Sequence, residues 1–259
     1  MSSENGICWL CHKQRPLTHE HIPPRQAFNK YPLLLKKVDD QEPRSGELRW
    51  MASRMPKGQT VLSLCAKCNN TYGRVHGGSY VDFIKQVAER VGDVPEFHRT
   101  TICGVQWPLR ILKQIMLQFV SANGPGFAPA NPWVEKFVRD RRERAIPSKV
   151  CIYLYATNFP GGRRTGVTAH IDLGAKRNNT IAEFTFWPLG TVISFDGELC
   201  DESLTPVHHW KEFAFDARGP VELDLCINPL ATGHPLDFRS ASQVEADRFK
   251  TSPHYEKPS

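Results

Sequence analysis

Residues 8–24 read CWLCHKQRPLTHEHIPP, and residues 63–73 read SLCAKCNNTYG. Each stretch carries two cysteines with two residues between them. That gap lets two thiolates grip one metal ion, and two such pairs complete the tetrahedral set that a structural Zn2+ takes. Soft sulfur selects zinc over magnesium. A redox dithiol would open a helix in a thioredoxin-like unit, and no such pattern surrounds either pair. Cys8, Cys11, Cys65 and Cys68 are therefore the expected zinc ligands. Metal binding supplies folding free energy, which explains how a loop-rich first 80 residues holds a shape.

Inside the loop that the metal closes lies LTHEHIPP. Residues alternate faces along a strand, so Glu20 points away from His19 and His21. Pro23-Pro24 ends the strand, and twist at that end is what can bring Glu20 and His21 together. Directly after the second cysteine pair comes Asn69.

The order CWLC, EHIPP, SLCAKCNNTYG resembles the HNH endonucleases of the ββα-metal fold, in the variety braced by a four-cysteine zinc. The resemblance covers roughly residues 8–76, and its specificity lies in the combination. It implies that Glu20 and Asn69 hold a catalytic Mg2+ or Mn2+ and that His21 is the general base activating water. The chemistry is consistent: a carboxylate and an amide oxygen make a hard site suited to such an ion. A neutral histidine is a competent base near pH 7. The sequence departs from the family at three places. The acidic residue is Glu rather than Asp. No middle Asn precedes the second CxxC, so Gln59, Thr60 or a backbone carbonyl must fix the tautomer of His21. Gly73 stands where many members carry His, and His76 lies three residues beyond. His19 is read as a neighbour that contacts phosphate or packs on the zinc knuckle, with the role of base as its alternative. His12 is read as an exposed knuckle residue.

The charge distribution leans the same way. Of 33 Lys/Arg and 27 Asp/Glu, residues 1–99 hold 15 and 10, so most of the net +6 sits in the first part. An anionic partner fits, with nucleic acid, double-stranded DNA by the resemblance, as the expected substrate. Arg25, Lys36, Lys37, Lys67 and Arg74 are the expected phosphate contacts. RDRRERA (139–145) is a second basic run, read as a surface helix with internal ion pairs.

Forty per cent hydrophobic and 23% charged residues describe an ordinary globular chain. No run approaches the roughly 18 apolar residues of a membrane helix, and MSSENGICWLCHK has no apolar signal region. No membrane association and a cytoplasmic location are expected. Cys103, Cys151, Cys200 and Cys226 read as buried small hydrophobes.

The expected fold class is α+β: a zinc-braced ββα-metal domain over 1–95, an accessory domain of helices and mainly antiparallel strands over 96–240, and a frayed polar tail over 241–259. Residues 30–60 read as a long loop with at most one short helix. Helices are expected at SYVDFIKQVAERVG, at PLRILKQIMLQFVSAN ending on Gly124, and from Asn131-Pro132 through to Pro147. Strands are expected at KVCIYLYA, GVTAHIDLG, IAEFTFWPL, TVISFDG, KEFAFDAR and VELDLCINP. FPGGRRTG (159–166) reads as a plain hairpin turn, with a mobile loop touching nucleic acid as the alternative. His170 and His208-His209 read as structural. The accessory domain would bind substrate, sense a signal, or join copies or a partner subunit. The rival to a nuclease is a non-catalytic zinc-knuckle protein that binds nucleic acid or acts as an adaptor.

Overall fold

The computed structural model describes residues 4–38, 50–92, 94–172 and 177–251. Within them the chain is α+β, a mixture of helices and antiparallel sheets. No helix of the described residues is long and apolar enough to cross a membrane.

The N-terminal unit is a three-stranded sheet with two helices behind it. Strand β1 (Asn5–Ile7) turns through the first cysteine pair into β2 (Gln14–His21), which pairs antiparallel with β5 (Thr60–Cys65) in the order β1-β2-β5. The β2–β5 register slips between Thr18 and His19. Thr18 faces Leu64 and His19 faces Leu62, which leaves Ser63 as the extra residue of a bulge. Ser63 is fully buried; its hydroxyl bonds that of Ser121, and its carbonyl takes the Trp9 amide at 2.9 Å. Helix α1 (Ala66–Val75) starts straight from Cys65, and α2 (Gly77–Val91) follows after His76.

Residues 30–60 differ from the expected loop. β3 (Leu33–Val38) and β4 (Trp50–Met55) form an antiparallel ladder, and no helix occurs among the described residues there. Neither LLLKKV nor WMASRM alternates apolar and polar residues, so the two-residue period of a strand is not visible in either.

α2 and α3 (Pro108–Asn123) form the centre. Almost every side chain of α3 is buried, including Leu109, Leu112, Ile115, Met116 and Phe119, so the helix is covered all round. Before it comes β6 (Arg99–Gln106), an element the sequence reading lacked; it pairs along its whole length with β12 (Gly219–Cys226). α4 (Phe127–Ala130) leads to α5 (Pro132–Arg139). α5 stops at Arg139, not Pro147, because Lys113 reaches up from α3 and donates to the carbonyls of Phe137, Asp140 and Glu143. Asp140 leaves the helix in extended geometry. A buried lysine thus takes the carbonyls that a continuing helix would use itself.

The second sheet contains β7 (Cys151–Ala156), β8 (Gly162–Asp172), β9 (Arg177–Phe186), β10 (Leu189–Ser194) and β11 (Thr205–Pro206) in the order β11-β7-β10-β9-β8. β7 and β10 are buried at every residue, as their unbroken apolar runs require. KEFAFDAR is not a strand: His208–Glu212 forms a 3-10 turn that buries Trp210, and Phe215 packs beyond it. Where a frayed tail is expected from Ser240, α6 (Ala241–Thr251) forms, and residues 252–259 lie outside the described residues. FPGGRRTG joins two strands that are not neighbours, so it is no hairpin, and Arg163 within it is buried. Cys151 and Cys226 are buried, but Cys103 and Cys200 are exposed.

One hydrophobic core runs from Cys8, Leu10, Ile22 and Leu64 through α2 and α3 to Ile152, Leu154 and Ile193. A smaller cluster on the other face of the second sheet includes Tyr153, Tyr155, Val192 and Leu230.

Candidate metal centre and the end of β2

The four cysteines expected to share a metal lie together. The sulfurs of Cys8, Cys11, Cys65 and Cys68 are all within 4.8 Å of one another, and Cys11 Sγ is 4.0 Å from Cys65 Sγ. Ligands about 2.3 Å from a tetrahedral zinc stand about 3.8 Å apart, so the cluster can hold an ion such as zinc. Cys8 sits at the start of the knuckle. The Cys65 amide donates to its sulfur at 3.3 Å, and the amides of Leu10 and Cys11 face the same atom. The hydrogen bond from Cys68, and after it those amides, push the Cys8 thiol down to about 4 against the effect of burial. The same sulfur contact, with burial, pushes Cys68 well up, and burial raises Cys11. Cys8, Cys11 and Cys68 thus compete for charge, and a cation bound among the sulfurs would favour their thiolate forms. His12 takes a left-handed backbone (φ 54°) that closes the knuckle. Its ring faces Glu135 of α5 at 3.6 Å, away from the cluster.

At the end of β2 the expected alternation is present. His19 is exposed, Glu20 is only 7% exposed and His21 is half-buried. Glu20 has no hydrogen bond or ion pair among the described residues, and burial alone pushes its carboxyl up to about 8. His21 lies opposite Thr60. Burial lowers its pKa, and the Lys57 backbone opposes that shift by favouring the protonated ring, which identifies a carbonyl as the group facing it. Arg25 and His19 add a smaller lowering through their charge.

Asn69, on the first turns of α1, is tied to the same strand. Its Nδ2 donates to Thr18 Oγ1 at 3.0 Å, and Thr18 Oγ1 donates to the Leu64 carbonyl at 2.9 Å. Thr18 and Glu20 are two residues apart on β2, on either side of the register slip.

Two further residues shape this end and were not read from the sequence. Asn29 is fully buried; its amide donates to the carbonyls of Pro23 and Gln59 and accepts the Gln59 N–H, at 2.8, 2.9 and 2.6 Å. It clamps the chain after His21 onto the Lys57-Gly58-Gln59 turn. Gly58 has φ +84°, and a Cβ there would stand 2.3 Å from Asn29 Oδ1, so only glycine fits. The signal was faint: one asparagine and one glycine, 29 residues apart.

His76 belongs elsewhere. Its ring is buried, contacts the Val138 carbonyl at 3.0 Å, stacks on Tyr72 and meets Phe215 edge-on. Burial pushes its pKa down to about 4. Arg25, Lys67 and Arg74 are exposed, while the side chains of Lys36 and Lys37 lie outside the described residues. In the second basic run, Arg139 pairs with Glu135, and Lys136 pairs with Glu143. Arg163 forms a buried ion pair with Glu183 at 2.7 Å, and Tyr155 bonds the same carboxylate. Comparison with protein-family models, with curated proteins and with solved structures finds no match for this chain.

Proposed function

We propose that this chain is a metal-dependent endonuclease of the HNH type that hydrolyses phosphodiester bonds in nucleic acid, DNA first. The observation that carries the reading is the convergence of three elements. Glu20 and His21 end a strand, the following helix carries Asn69 bonded to that same strand, and the four-cysteine cluster sits where strand and helix begin. The cluster is read as a structural zinc that fixes the sheet against α1 and does not touch substrate.

Glu20 and the Asn69 amide oxygen would hold Mg2+ or Mn2+. Two hard oxygen donors fit an ion that keeps most of its waters and adds phosphate oxygens. Bound there, the ion would supply charge stabilisation for the phosphoryl group and the leaving 3′ oxygen. His21 acts on water. Burial favours the neutral ring, and the Lys57 backbone beside it would hold one nitrogen as N–H, leaving the other with a lone pair for the proton. Arg25, Lys67 and Arg74 would meet the phosphates. The products would carry 5′ phosphate and 3′ hydroxyl ends.

The burial of Glu20 favours a second reading, a zinc-knuckle protein that binds nucleic acid without cutting it, because a carboxyl near 8 is mostly uncharged at pH 7. A plasmid-relaxation assay with Mg2+ separates the two. Wild type should nick and His21→Ala should not, with equal zinc in both. If neither cuts DNA or RNA with Mg2+ or Mn2+, the nuclease reading fails.

A further inference from the structure

We propose that Thr18 is a positioning residue that turns the oxygen of the Asn69 amide toward the catalytic cation. The inference rests on the nuclease reading and concerns the same site.

A threonine hydroxyl has one proton to give and lone pairs to accept with. The Leu64 carbonyl can only accept, and it lies 2.9 Å from Thr18 Oγ1, so the hydroxyl proton is committed to it. What remains on Thr18 Oγ1 toward Asn69, 3.0 Å away, is a lone pair. That lone pair demands the NH2 side of the amide. The reverse orientation would set two oxygens against each other with no hydrogen between them. The amide orientation is thus dictated by chemistry, and Oδ1 is the atom left over for a cation. On the helix side, a Cβ at Gly73 would stand 3.7 Å from Asn69 Oδ1, in ordinary contact with it, so this oxygen lies beside position 73 of the helix.

The bulge explains why the hydroxyl is available for this. The regular ladder breaks between Thr18 and His19, with Ser63 inserted opposite. Antiparallel pairing is locally irregular there, and the Thr18 hydroxyl adds a side-chain bond to the Leu64 carbonyl beside the slip. Thr18 thus joins β2, β5 and α1 through one oxygen, two residues before Glu20.

Outer hydrogen bonds of this kind typically govern metal affinity by about 10- to 100-fold. The test uses the full zinc-loaded chain, with Mn2+ as the probe, read by electron paramagnetic resonance titration. Thr18→Val keeps the shape and removes both hydrogen bonds; Thr18→Ser keeps both. Zinc content shows that each variant is folded at the cluster. Thr18→Val should weaken Mn2+ binding by about 10-fold or more, with Thr18→Ser within about threefold of wild type. The Asn69 side-chain amide protons, followed by NMR without Mn2+, should lose their exchange protection in Thr18→Val alone. In cleavage, the Mn2+ concentration for half activity should rise while the rate at saturating metal changes less. Equal Mn2+ affinity in Thr18→Val and wild type would overturn the role of Thr18 and leave the nuclease reading standing. A wild-type chain that binds no Mn2+ beyond the cysteine cluster would overturn both.

Discussion

Glu20→Gln should make the fold more stable, and by an amount that depends on pH. The carboxyl is 7% exposed and lies opposite Val61, and burial raises its pKa from 4.5 to about 8. A raised acid binds its proton more tightly in the folded chain than in the unfolded one. Its contribution to stability is therefore largest in acid, falls as pH rises through 4.5, and levels off above about 8. At about 1.4 kcal/mol per pH unit, taking up this proton on folding costs about 3 kcal/mol at pH 7 and about 1 kcal/mol at pH 5.5. Glutamine keeps the shape and carries no such cost. The assay is urea or thermal unfolding of zinc-loaded wild type and Glu20→Gln from pH 5.5 to 8, without added Mg2+. The lower limit keeps the cysteine cluster metallated. At pH 7 the variant should melt higher by roughly 6–12 °C, and the gap should shrink toward pH 5.5. Adding Mg2+ at about 100 times its dissociation constant should return about 2.7 kcal/mol to wild type alone. A gap that stays constant with pH, or a variant less stable than wild type at pH 7, would refute the reasoning.

Other outcomes follow from the same geometry. Mn2+ affinity should rise with pH, by up to tenfold per unit from pH 5.5 toward 8, with about one proton released per ion in calorimetry. With the metal saturating at every pH, the acid limb of kcat/KM should fall below the ordinary histidine value of about 6.5, since burial lowers His21, and activity should be lost as pH drops through that limb. Asn29→Ala should cost about 3 kcal/mol in urea unfolding, because three buried hydrogen bonds are lost and the Gln59 N–H loses its partner. Converting Arg25, Lys67 and Arg74 together to Ala should flatten the dependence of DNA affinity on salt by about 2 to 3 in log–log slope, as measured by fluorescence anisotropy.

What could be read from the residues follows the range of the forces involved. The cysteine pairs are a local spacing rule, and their sulfurs meet across 53 intervening residues because two knuckles each place two thiolates. The stripe on α3 and the apolar runs of β7 and β10 are likewise visible in short windows. Errors arose where a distant group decides. RDRRERA has good helix propensity, yet α5 ends at Arg139 because Lys113 claims its carbonyls. β6 is a weak alternation whose partner β12 follows more than 100 residues later. Near Glu20 the residue types were legible, but the support was not. Nothing local tells which hydroxyl meets Asn69, or that the Lys57 backbone faces His21.

The central claim is that Glu20, His21 and Asn69 cut a phosphodiester bond. The most direct measurement incubates zinc-loaded chain and Mg2+ with an end-labelled DNA duplex, then examines the ends. Wild type should give fragments with 5′ phosphates that a ligase accepts and 3′ hydroxyls that a polymerase extends, while His21→Ala, with the same zinc, should leave the duplex whole. Cleavage by His21→Ala at the wild-type rate, or no cleavage by wild type with DNA or RNA, would contradict the account.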